Sequence, residues 1–324
     1  MLSCTFISSI PPAPIKRTID NQTFINYQAV CTDSWRRVCG RVRSVNSLQE
    51  KQYLESRSLN YNVDFVYRNS LLHCSKPLVC LRDILLSAKM SESPIIAIAN
   101  ADIYMNMPDS VRELISLLQP GEAIVGRRTN IHSLQEKRAS IYRLGFDLFI
   151  IHSSDIDKLL RHSNNLYFGD PWWDYDLLTN LIASGIQIRP LKPIHVLHLS
   201  HQHAFSKDRW ADIGFNSIQD MRNLINQIPH SRMSQEGLTL SKLIERVHSQ
   251  IINFFTTQDA CNSGSAFQLS SDEHHVKPLR EFAHGLIDLG ENVLGLQNEF
   301  DDSSDITTAC SLLLDRLCNS LSSH

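Results

Sequence analysis

Through the first 125 residues, short apolar runs alternate with longer stretches in which apolar residues recur every three or four positions. That alternation is the signature of strand-helix-strand units around a mostly parallel sheet. Strands are predicted at Cys4–Ile10, Val38–Val45, Val63–Tyr67, Ile95–Ala99 and Ala123–Val125. Between them, helices are predicted from Arg17–Asn21 through Trp35, over Ser47–Arg57, over Pro77–Ala88 and over Asp109–Leu118. Ile95-Ile96-Ala97-Ile98-Ala99 is apolar throughout, which implies cover on both faces and a central place in the sheet. From Tyr142 the pattern changes to a strand at Leu148–Ile151, a short helix, a helix over Pro171–Ala183 with Asp170 as its N-cap, and a strand at Ile194–Leu199. Past Trp210 the chain reads as helical, at Ile218–Ile228, Leu238–Phe255, Pro278–Leu296 and Ile306–Leu321, with a polar break at Asp259–Ser271. The expected fold is α/β, a mostly parallel central sheet flanked by helices over residues 1–212, followed by an α-helical C-terminal region over 213–324.

Composition narrows the chemistry. A formal net charge of -3 over 324 residues offers no basic field for nucleic acid, so any phosphate site must be local. No uncharged apolar run reaches the roughly 18–20 residues that cross a bilayer, and the start MLSCTFISSIPPAPIKR has no basic segment before its apolar stretch, unlike a signal peptide. The eight cysteines form no C-x-x-C pair. Together these features predict a cytoplasmic protein with reduced thiols and no structural disulfide, with contact to the inner face of a membrane left open.

Asp102 follows the buried Ile95–Ala99 strand directly, at the carboxyl edge where open α/β sheets place their ligands. A carboxylate there suits a Mg²⁺ or Mn²⁺ ion on a diphosphate, and equally a turn cap ahead of Asp109. Asp174 falls in the first turn of its helix, on the face of Leu177, Leu178 and Leu181. The positive helix end there favours its ionised form, as a base taking a hydroxyl proton requires, and a plain dipole partner would look the same. Trp172 and Trp173 suit a sugar platform or the core. His195, His198, His201 and His203 cluster at the last strand as candidate metal ligands, with ordinary core or surface roles as the alternative. Arg127 and Arg128 after Gly126, and Arg17 after the first strand, are candidate grips for phosphate or an acidic group.

In order and placement these segments resemble the glycosyltransferases of the A-type fold. Phe6-Ile7-Ser8-Ser9-Ile10-Pro11 resembles their first strand, and Ile98-Ala99-Asn100-Ala101-Asp102 their D-x-D strand end, with Asn in place of the first Asp. Gly145-Phe146-Asp147-Leu148-Phe149 is similar to the strand entering their acceptor half. Trp173-Asp174-Tyr175-Asp176-Leu177, then Gly185-Ile186, resembles the E-D-x-D-L helix of inverting galactosyltransferases, with Trp173 in place of Glu. His198-x-x-His201 is similar to their later metal histidine. The resemblance implies a nucleotide-binding half over 1–125 and an acceptor half over 126–212. It further implies a nucleotide-sugar donor near Pro11, Arg17, Asn100 and Asp102, and a glycan or other hydroxyl acceptor near Arg127, Asp147, Asp170, Trp172, Trp173 and Asp176. Asp174 would be the catalytic base, and Mn²⁺ or Mg²⁺ would be held by Asp102 with His198 or His201. The setting it implies is polysaccharide biosynthesis.

Two other readings stand beside an inverting, metal-assisted hexosyltransferase. One is a nucleotidyltransferase, although PPAPIKR is not a glycine-rich phosphate loop. The other is a non-catalytic glycan-binding or scaffold protein, which Asn100 favours. The helical region would pack on the acceptor half, form a homodimer contact or dock peripherally on a membrane.

Overall fold

A computed structural model describes residues 3–12, 21–56, 63–68, 72–73, 76–131, 139–142, 145–162, 166–200, 206–261 and 273–292. In chain order, β1 (Cys4–Ser8), α1 (Asn21–Cys39), β2 (Gly40–Ser47), α2 (Leu48–Ser56) and β3 (Asp64–Arg68) precede a minimal hairpin of β4 (Leu72–His73) and β5 (Lys76–Pro77). Next come α3 (Leu81–Lys89), β6 (Ile95–Ala99), β7 (Ile103–Met105), α4 (Pro108–Ser116), β8 (Glu122–Gly126), β9 (Thr129–Ile131), β10 (Ala139–Ile141) and β11 (Leu148–His152). Then α5 (Ile156–His162), α6 (Trp173–Ala183), β12 (Gln187–Leu191) and β13 (Val196–Leu199) lead into α7 (Lys207–Asn226), α8 (Gln235–Cys261) and α9 (Glu273–Asn292).

The main sheet has seven strands in the order β12-β8-β11-β6-β1-β2-β3. All its pairings are parallel except the two made by β11, which runs antiparallel between β6 and β8. The expected class, a mostly parallel sheet flanked by helices with a helical C-terminal region, is the observed one. β6 sits mid-sheet as its apolar run predicts: Ile96 and Ile98 join one buried cluster, Ile95, Ala97 and Ala99 the other. A second sheet, β10-β9-β13-β7, was not foreseen, because three-residue strands give period-two alternation too little length to register. It lies beside the carboxyl end of β6, since β7 begins at Ile103, after only three intervening residues.

Two expectations are corrected. The helix predicted from Pro171 begins at Trp173, with Trp172 at its N-cap in the left-handed region at φ 77°, so Asp170 is not the cap. Cys4 and Cys39 form a disulfide. Parallel pairing sets Cys4 opposite Gly40, which brings the preceding Cys39 within a Cα–Cα distance of 4.4 Å, a proximity that a separation of 35 residues does not announce.

The C-terminal helices share the main core. Ile218, Met221, Ile244 and Phe282 belong to the same buried cluster as Ile96, Phe149 and Leu177. Among the described residues no helix is long and apolar enough to cross a membrane. The expected helix at Ile306–Leu321 lies outside the described residues.

Candidate active site

The carboxyl ends of β6 and β8 and the start of antiparallel β11 meet at one edge of the sheet, so Asn100 and Asp102, Arg128, and Asp147 converge from distant parts of the chain. Arg128 donates from Nη1 to Asp147 Oδ1 at 2.9 Å, and Asn100 Nδ2 approaches the same oxygen at 3.3 Å. Asp147 Oδ2 is buried with no hydrogen-bond partner among the described residues. Burial works against the Arg128 charge, but Asp147 and then Asp102 more than restore it and raise its pKa.

The second sheet adds His198 from β13. Arg128 Nε donates to Asn130 Oδ1 at 3.0 Å. A guanidinium only donates, so the amide oxygen must face it. His198 Nδ1 lies 3.0 Å from that same oxygen and therefore carries its proton. Nε2 is left facing Asp102 Oδ2 at 3.2 Å. Two lone pairs would repel there; a second proton on the ring or a cation shared with the carboxylate removes the conflict. Tyr27 fixes the backbone around the pair, its hydroxyl donating to the Asp102 carbonyl at 2.8 Å and accepting from Leu199 N–H at 2.8 Å.

Among the described residues no group of three or more His, Cys, Asp or Glu could hold a metal ion. One carboxylate and one imidazole nonetheless suit Mg²⁺ or Mn²⁺, which keep several positions for water and substrate phosphate oxygens. Their 3.2 Å separation is also near the ~3 Å edge of an octahedron with bonds of about 2.1 Å. The residues fit such an ion only when a substrate completes its shell.

Across the cluster, α6 presents Asp174. Its Oδ2 accepts from Phe146 N–H at 2.9 Å. Gly145, at φ 145°, makes room: a Cβ there would lie 3.0 Å from Tyr142 Cε1 and 3.1 Å from Asp174 Oδ2. Burial pushes the Asp174 pKa up to about 7, opposed by the Phe146 N–H and reinforced by Asp147. The helix end was expected to keep this carboxylate ionised, and desolvation outweighs it. Tyr142 lies against the Arg128 guanidinium, 4.1 Å from ring centroid to Cζ. Burial pushes its pKa up to about 12 against the pull of Arg128, so it remains a neutral phenol.

Other predicted residues go elsewhere. Trp172 and Trp173, 1% and 3% exposed, are core aromatics, so neither offers a face to a sugar. Asp176 is wholly buried, held by Asn180 Nδ2 at 3.0 Å, and cannot reach an acceptor. Asp170 pairs with Arg209 of α7, its Oδ1 accepting from Nε at 2.9 Å, and so ties the C-terminal helices down. Arg127 is 2% exposed and packs over Phe146 at 5.5 Å; the arginine in the cluster is Arg128. Both lie in the two-residue link between β8 and β9, where no strand periodicity tells which of the adjacent pair faces the site. His195 is buried away from the cluster, its Nδ1 without a hydrogen-bond partner among the described residues. Pro11 lies half-buried beyond β1, while Arg17, His201 and His203 lie outside the described residues. Asn130, Tyr142 and Gly145 were missed as site residues; the glycine just before Phe146-Asp147 was the one available signal.

No family model matches the chain, and no curated protein matches it. Among solved structures it is similar to a nucleotidyl transferase from Methanothermobacter thermautotroptrophicus, at 10% identity and TM-score 0.37, over 68% of this chain and 99% of that one. It is also similar to 4-diphosphocytidyl-2C-methyl-D-erythritolsynthase from Anaerococcus prevotii, at 8% identity and TM-score 0.39, over 65% of this chain and 96% of that one. Likeness at this level decides no chemistry, which rests on the chain's own strands and side chains.

Proposed function

We propose that this protein is a transferase that moves a sugar from a nucleotide-sugar donor to a hydroxyl acceptor, with inversion. The carrying observation is the division of one polar cluster into two chemically distinct parts. Asp102, His198 and Arg128 form a part suited to diphosphate, and Asp174 is a carboxyl group poised near neutrality beside it. Arg128 would bind the departing diphosphate by charge-assisted hydrogen bonds, held in place by Asp147 and Asn130. Asp102 and His198 would hold Mg²⁺ or Mn²⁺, which when bound offsets charge developing on the leaving group. Asp174, ionised, would take the proton of the acceptor hydroxyl as its oxygen attacks the anomeric carbon; the Phe146 N–H fixes the carboxylate's direction. Attack from the side opposite the leaving diphosphate inverts that carbon.

The test is calorimetry of nucleoside diphosphates and their sugars with and without Mn²⁺. Metal-dependent binding of one nucleotide, at least tenfold weaker in Asp102→Ala, is the expected result. Absence of binding by any nucleotide would remove the donor site. Release of pyrophosphate from a nucleoside triphosphate, in place of nucleoside diphosphate from a sugar donor, would replace glycosyl transfer with nucleotidyl transfer.

A further inference from the structure

β1, β2, β3 and β6 run parallel, so their starts lie together at the edge opposite Asp102. There a concavity of about 580 Å³ is lined by Thr5, Arg36, Arg41, Arg43, Asp64 and Ser91. Gly40, at φ 75°, makes the turn that brings the last turn of α1 and the first residues of β2 to one rim. Arg43 is fixed in place, donating from Nε to Asp64 Oδ2 at 2.8 Å and from Nη1 to the Ser87 carbonyl at 3.0 Å. Arg36 reaches Asp33 at 3.6 Å. Arg41 is exposed and has no ion-pair partner among the described residues. Hydroxyls line the wall: Ser91 Oγ donates to Thr5 Oγ1 at 2.9 Å, and Thr5 Oγ1 lies 2.7 Å from Ser93 Oγ.

Around the rim the guanidinium groups of Arg36, Arg37, Arg41 and Arg43 stand against three carboxylates: Asp33, which Arg36 and Arg37 share, Asp64, which Arg43 engages, and exposed Glu92. The excess is cationic, and guanidinium forks match phosphate oxygens. The volume is in the range that encloses a small ligand. The hydroxyls and the Asp64 carboxylate suit a hydroxylated body more than an apolar one. From this arrangement we infer a second ligand site, separate from the proposed donor site, for a phosphomonoester of a small polyol, with Arg41 and Arg36 toward the phosphate and Thr5, Ser91 and Asp64 toward the polyol.

Calorimetry at constant ionic strength tests it, with ribose 5-phosphate and inorganic phosphate as probes against wild type, Arg41→Glu, Arg41→Gln and Asp102→Ala. Ribose 5-phosphate is expected to bind wild type and Asp102→Ala alike, Arg41→Glu at least tenfold more weakly, and Arg41→Gln in between. Inorganic phosphate is expected to bind at least tenfold more weakly than the sugar phosphate. Arg41 is exposed, so its variants should keep the wild-type circular dichroism spectrum. Undiminished binding to Arg41→Glu, equal affinity for the two probes, or no binding at millimolar concentration overturns the inference. Loss of binding in Asp102→Ala also overturns it, by placing the probe in the donor cleft; the donor reading itself is judged separately, by nucleotide binding.

Discussion

Asp174 shows how far burial can outweigh a helix end. Its pKa of about 7 lies well above the usual carboxylate range, so the ionised fraction changes steeply around neutral pH. If Asp174 takes the acceptor proton, kcat/KM rises with pH and levels off above about 7, and Asp174→Asn lowers kcat by about 10²–10⁴-fold. A pH-rate profile for both proteins decides this; a variant with near wild-type turnover removes both the base and the inversion. Stability moves the other way. Because the folded pKa is raised, the folded state holds a proton that the unfolded chain releases, and stability falls as pH rises from about 4 through about 7. Asn has no proton to lose and its amide oxygen can still accept from Phe146 N–H. Asp174→Asn is therefore expected to melt higher than wild type at pH 8, the advantage disappearing near pH 4, as thermal scans at the two pH values would report.

At the scale of elements, α6 owes its start to α7. Trp172 holds a left-handed backbone, costly for a bulky residue, just before the helix that carries Asp174. Trp210 and Phe282 enclose its ring at centroid distances of 5.0 and 5.9 Å, and its Nε1 donates to the Trp210 carbonyl at 2.8 Å. Gly214 permits the approach, since a Cβ there would lie 2.5 Å from the Trp172 ring. Gly214→Ala is expected to destabilise by about 1–3 kcal/mol and to lower turnover by disturbing Asp174. Gly237→Ala, whose Cβ would meet nothing nearer than 3.4 Å, should cost nothing and gain slightly from helix propensity. Denaturant melts of the pair, read beside their activities, check the coupling; equal effects would deny Gly214 its role.

The whole molecule is built on two buried layers, one on each face of the main sheet. α7, α8 and α9 contribute Ile218, Ile225, Leu240, Ile244, Phe282 and Leu286 to the layer that also holds Phe149, Trp173 and Leu178. A boundary at residue 212 thus marks a change in pattern and cuts no natural seam in the packing. Removing residues 206–324 would bare Trp172, Tyr175 and the outer side of α6. The shortened chain is expected to bind a hydrophobic dye and lose near-ultraviolet circular dichroism while keeping much of its secondary structure. A cooperative unfolding transition for residues 1–205 would show that the helices are dispensable for folding.

The sequence by itself determined the class of fold, the central place of β6 and the position of Asp102 at its carboxyl end, because these follow from local periodicity and from burial on both faces. The first turn of α6, with Asp174, was legible for the same reason, two residues off at the helix start. Tertiary structure alone decided which neighbours share a site. It chose Arg128 over Arg127, sent Trp172, Trp173, Asp170 and Asp176 to structural work, and brought His198 against Asp102 across 96 residues and against Asn130 across 68. It also paired Cys4 with Cys39 and raised the Asp174 pKa where the local helix end predicts the opposite. The physical reason is common to all of these: a local pattern reports which face of an element is buried, whereas a side chain's partners and its desolvation depend on elements that meet only when the chain has folded.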